Sequence, residues 1–251
     1  TPTLSNEIFM VDNTLGTPIS ANQFSADVIR ASYNEVVIVT NASQVPQEIE
    51  FQATILMSFT SFDVFPNITG LTTEYGLYAV FNVEGNVSSF DSNTGLVTTG
   101  GWHGDLEFWL DPDANTNSYD PNRIHGYNDV RWEGMEVDDD LLLATGDVTE
   151  GGSTGTPTNG GYNAASRNFS LTNYGEQFFV GPNPFYDLLI STGDIEDFFG
   201  RIDLFGQVGD IQRFDAEASI RFTSQIPEPT NLALFGLGLI GLAVSARKKL
   251  S

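Results

Sequence analysis

Clustered carboxylates, with a few aromatic and imidazole rings, are the residues here whose types and spacing could do chemistry. The densest candidate is Asp111-Pro112-Asp113-Ala114-Asn115-Thr116-Asn117-Ser118-Tyr119-Asp120. Oxygens at alternate positions (Asp111, Asp113, Asn115, Asn117), followed by Asp120, let a loop wrap one hard cation, and Ca2+ takes about six to eight such ligands. The spacing is not that of an EF-hand. Thr116 stands where the sharp turn needs glycine, and Asn122 stands where the bidentate glutamate belongs. The expectation is therefore a loop-type calcium site, set against an Asx-rich turn that needs no metal. Asp138-Asp139-Asp140, with Glu133 and Glu136 upstream, reads as a solvated acid run, since like charges this dense repel unless exposed or paired.

Catalysis finds little support. The two histidines, His103 and His125, lie outside any metalloprotease or nucleophile-elbow context. His103 falls in Gly100-Gly101-Trp102-His103-Gly104, which reads as a turn. A glycosidase needs two carboxylates at a set separation, but among 33 acids any pair could be nominated. Trp102, Trp109 and Trp132 could stack on sugar rings or simply fill a core. Cysteine is absent, which excludes disulfides, thiolate catalysis and thiolate metal sites. The Asn-x-Ser/Thr sequons at Asn41, Asn67, Asn86 and Asn168 read as coincidental. No catalytic residue, and no enzyme, is expected.

The tail carries the sharpest pattern. Ile226-Pro227-Glu228-Pro229-Thr230 precedes an uncharged apolar run, 232–246, and then Arg247-Lys248-Lys249. As a helix the run would rise roughly 22 Å, short of the ~30 Å hydrocarbon core and so a marginal span. It is apolar all round and glycine-rich, unlike a helix packed on a soluble core. The basic cluster behind it places the C-terminus in the cytoplasm and the rest of the chain outside. Breaker, apolar run and basic stop together resemble the PEP-CTERM sorting signal. That resemblance implies recognition and removal of the tail by an exosortase, a membrane anchor before cleavage, and export to the cell surface or matrix. Pro227, Glu228, Pro229, Arg247, Lys248 and Lys249 would be the sorting residues. Export also implies a secretion signal, and the opening Thr1-Pro2 is read as the result of its trimming.

The acids outnumber the bases 33 to 10, for a net charge of −23. Three of those bases sit in the tail, so the body is more acidic still. Such a surface will not bind nucleic acid, because phosphate contacts need clustered Lys and Arg. It favours solubility and attracts divalent cations.

These side chains must be positioned by strands. Gly76 to Phe90 alternates, with Leu77, Ala79, Phe81 and Val83 on one face, and Phe214 to Phe222 alternates as cleanly. Further runs fall at 8–11, 35–40, 49–59, 105–110, 141–144, 167–171, 177–180, 185–191 and 198–206. The glycine-rich stretch 151–163 reads as a long hairpin loop. No helical period longer than two turns precedes residue 232. The fold expected is all-β: an antiparallel β-sandwich (jelly-roll-like) body over 1–225, with a single short C-terminal hydrophobic helix within the sorting tail, 226–251.

Tyr75-Gly76-Leu77-Tyr78-Ala79-Val80-Phe81, Asp105 to Asp113, Leu141 to Gly146, the glycine-rich stretch and Pro182-Asn183-Pro184-Phe185-Tyr186 occur in an order that resembles the PepA family of flocculation-associated PEP-CTERM proteins. The resemblance implies an extracellular, non-enzymatic role in cell aggregation, with exopolysaccharide or other matrix components as partners. A carbohydrate-binding or carbohydrate-active domain with the same tail is the alternative.

Overall fold

The alternation of Leu77, Ala79, Phe81 and Val83 is realised in full: all four are buried on one face of strand β5 (Gly76–Asp91). With it run β3 (Ile29–Asn41), β4 (Glu50–Phe62), β6 (Leu96–Asp111), β7 (Leu141–Thr156), β8 (Asn159–Leu171), β10 (Leu188–Phe199) and β11 (Ile211–Thr223). The computed structural model describes residues 7–16, 23–41, 43, 45, 48–64, 69–114, 139–156, 159–199 and 211–224. The tail, with its apolar helix and all six sorting residues, lies outside the described residues.

The eight strands do not form a sandwich. They close into a barrel in the order β10-β11-β3-β4-β5-β6-β7-β8, every pairing antiparallel. β3 to β8 pair in chain order. β10 then returns beside β8, and β11 beside β3, so no edge strand remains. A sandwich would leave four edges to protect, whereas closure removes them all. Long strands make closure possible: β5, β6 and β7 each run 16 residues, enough for the intrinsic twist and several bulges to bend the sheet round on itself. The expectation of an all-β antiparallel fold holds; that of a jelly-roll-like sandwich does not.

Two local expectations also change. The stretch at 151–163 is not a loop but the paired ends of β7 and β8, in register from Gly151↔Ala164 to Thr156↔Asn159. The segment around His103 is not a turn but part of β6, where a register shift between Glu84 and Asn86 and a positive φ at Gly101 (66°) accommodate a bulge.

One end of the barrel is stopped by a three-stranded sheet, β2-β1-β9, built from β1 (Phe9–Asp12), β2 (Gln23–Ala26) and β9 (Phe179–Gly181). A six-residue helix α1 (Asn173–Phe178) leads into β9; the Thr172 side chain caps it by accepting the Gly175 N–H at 3.1 Å. Phe9 packs edge-on against Phe222 (5.1 Å between ring centres) and Phe179 (6.0 Å). Phe108 joins the same cluster through Phe59 (4.8 Å, stacked) and Phe179 (5.7 Å). Small inward residues in register with the cluster, Ala31 opposite Phe59 and Ala79 opposite Phe108, leave room for these rings.

The outer wall is predominantly polar and laced across strands: Gln52 to Glu84 (2.8 Å), Thr54 to Asn82 (3.1 Å) and Asn82 to Asp105 (3.1 Å). It also carries an apolar cluster, in which Val36, Leu56 and Tyr78 pack with Val80 and Trp109. Among the described residues no helix is long and apolar enough to cross a membrane.

Candidate functional sites: an outer trough, a buried carboxyl and the sorting tail

The outer wall is interrupted by a trough of about 630 Å3 crossing β7, β8, β10, β11 and β3. Its axis is a row of outward positions in matched register: Gly152↔Asn163, Asn163↔Thr192, Thr192↔Ser219 and Ser219↔Arg30. Successive members therefore stand one strand spacing apart, about 4.8 Å. The Thr192 and Ser219 hydroxyls lie 3.2 Å from each other, while Thr154 and Glu217 flank the row.

Glycine makes the depression. At Gly161 no side chain rises, and at Gly152 the β6 backbone comes so close that a Cβ would stand 2.6 Å from the Thr99 carbonyl oxygen. From beneath, inward-facing Gly151 and Gly193 let the strands settle on the aromatic core. A Cβ on Gly193 would stand 2.2 Å from the Tyr162 ring, and one on Gly151 would stand 2.9 Å from Trp102.

Beneath the trough, the barrel interior holds a polar ladder. Tyr33 stacks on Tyr162 (4.6 Å, 28°), and Tyr162 lies parallel to Trp102 (6.4 Å, 14°). The Tyr162 and Ser191 hydroxyls are 3.1 Å apart, and Trp102 donates its indole N–H to Thr99 at 3.0 Å. Tyr33 donates its hydroxyl to Glu35, an inward-facing acid only 6% exposed. Burial pushes the Glu35 carboxyl up to about 7, and the Tyr33 hydrogen bond pulls only partly the other way. Burial also raises the Tyr33 and Tyr162 phenols, keeping both protonated.

The expected calcium loop is described only in its first half. Asp111 is 1% exposed, and its Oδ1 accepts the Asp113 N–H at 3.1 Å, the geometry of an Asx turn. Asn115, Asn117 and Asp120 lie outside the described residues. Among the described residues no three acidic or imidazole groups converge as a metal site, so the described half of the loop assembles no cation site by itself. In the second acid run, Asp140 accepts the Tyr78 hydroxyl; Asp138, Glu133 and Glu136 are not described.

His103 is exposed, with Nδ1 3.0 Å from the Gly101 carbonyl and Nε2 3.5 Å from Glu84. His125 and Trp132 are not described. Trp102 is core, whereas Trp109 lies on the outer wall, parallel to Tyr78 (6.3 Å, 7°), with its N–H on Glu107 at 3.2 Å. Sequence reading singled out neither Glu35 nor the trough. The acid sat inside an apolar run without any mark, and the trough residues are scattered along the chain. The glycine density at 151–161 was the one available signal.

Residues 225–249 match the family model of the PEP-CTERM protein-sorting motif. The chain carries a PEP-CTERM sorting signal. The match spans the Pro227-Glu228-Pro229 breaker, the apolar run and the basic stop, all in place. This signal marks an exported protein that passes the membrane and is sorted there by an exosortase. Comparison of the whole chain with curated proteins and with solved structures gives no match to either. The PEP-CTERM signal therefore specifies an address for the barrel, while the barrel's own activity must be argued from its surface.

Proposed function

We propose that the barrel works outside the cell as a non-enzymatic component of the extracellular polymer matrix. It is delivered by its PEP-CTERM tail and promotes exopolysaccharide-associated cell aggregation. The observation that carries this reading is the pairing of an export signal with a closed barrel whose hydrogen-bonding groups face outward. Closure supports life in a matrix, since all eight barrel strands are paired on both sides and free edges are left to the short capping strands β2 and β9. The acid excess keeps copies apart in solution.

The test has two arms. Deleting the gene should reduce cell clumping while leaving growth in suspension unchanged. Incubating the protein with exopolysaccharide from the producing strain should retain it without releasing sugar. Released oligosaccharide would assign it to the carbohydrate-active enzymes, and unchanged clumping with no retention would overturn the matrix role.

A further inference from the structure

We infer that the outer trough across β7, β8, β10, β11 and β3 is a binding site for a polysaccharide whose sugars carry no acid groups. The inference rests on the matrix reading and supplies its ligand class. Three features of the trough point this way.

The first is its chemistry. Asn163, Thr192 and Ser219 present hydroxyl and amide groups that both donate and accept, as sugar hydroxyls do, and they recur one per strand. A row with that period suits a repeating polar chain better than a compact ligand. Gly161 bears no side chain on the floor of the trough, so ring atoms can approach the backbone there.

The second is charge. Among the described residues Arg30 is the one base lining the trough, and its guanidinium is already held by Asp63 through two hydrogen bonds of 3.2 and 2.7 Å. Glu217 stands exposed on the same wall. An anionic polymer would meet this carboxylate, a neutralised arginine and a chain of net charge −23, whereas an uncharged or amino-bearing polymer meets no such barrier.

The third is rigidity. The strands under the trough rest directly on Trp102 and Tyr162, whose rings leave no space for a Cβ at Gly151 or Gly193. A surface held this way loses little freedom when a ligand settles, which favours binding through modest individual hydrogen bonds.

The experiment uses the full-length chain in mild detergent and four supports: cellulose, chitin, alginate beads and exopolysaccharide from the producing strain. Cellulose or chitin should retain the chain and alginate should not. The triple substitution Asn163→Ala, Thr192→Ala, Ser219→Ala should lower retention about tenfold or more, since each lost hydrogen bond counts separately. Thr145→Ala, at an exposed position on β7 outside the trough, should bind as the parent does, and matching melting curves show that all the variants fold. Stronger retention on alginate than on the uncharged polymers, or equal retention of the triple variant, overturns the inference. Retention by the strain's own polymer but by neither purified neutral one, with uronic or sulfated sugars found in that polymer, overturns the ligand class and leaves the matrix role standing. Retention by none of the four overturns both.

Discussion

Glu35→Gln isolates a single proton in the barrel's interior and makes its energetic effect measurable. The acid's usual value is 4.5, and burial raises it to about 7 in the folded chain. A carboxyl with a raised folded-state value binds its proton more tightly when folded. Its contribution is therefore fully present below pH ~4.5, declines as pH rises towards about 7, and is gone above that. A difference of roughly 2.5 units corresponds to about 3 kcal/mol at 1.36 kcal/mol per unit. In a chain of this size that is a melting-point change of roughly 6–12 °C. Tyr33 and Tyr162 are the titratable groups facing Glu35, and both stay protonated throughout, so neither masks the effect. Glutamine keeps an acceptor for Tyr33 but holds no titrating proton. The assay is urea unfolding of parent and variant from pH 4.5 to 8 at fixed ionic strength, followed by near-UV circular dichroism. Any constant cost of the amide shifts all points equally, and the many surface acids cancel in the difference. The parent should lose about 3 kcal/mol relative to the variant across this window. A flat difference would refute the claim that Glu35 is buried and protonated in the folded barrel.

Two further substitutions probe the fold and the address. Phe108→Ala removes a fully buried ring that touches Phe59, Phe169 and Phe179, and should cost about 3–5 kcal/mol in urea unfolding; a cost under about 1 kcal/mol would mean the ring cluster does not hold the capped end together. Replacing Pro227, Glu228 and Pro229 by alanine should leave the protein in the membrane fraction with its tail intact, as judged by mass on a denaturing gel. Normal release of the altered chain would show that the tripeptide is not read.

Strand content was legible because its signal is local. Leu77, Ala79, Phe81 and Val83 alternate along a few adjacent residues, and a side chain's face follows from a period of two. The glycine-rich 151–163 misled for an equally local reason. Glycine carries no preference for a strand, and its place in β7 and β8 depends on Trp102 and Tyr162 pressing from inside. The trough was invisible for the same cause: Asn163, Thr192, Ser219 and Arg30 meet only after four strands have been set in register. Glu35 lies in a run of apolar neighbours that predicts a strand and says nothing of what its carboxyl faces.

Taken alone, the chain of residues determined the address, the acid excess, the lack of cysteine chemistry and the all-β class, since each depends on composition or on neighbours a few positions apart. Tertiary structure decided that the strands close into a barrel, that one carboxyl is shut inside it and that a polar row lines its outside. Those features depend on which distant strands pair, above all β11 with β3, and such pairing is set by packing and register summed over the whole sheet.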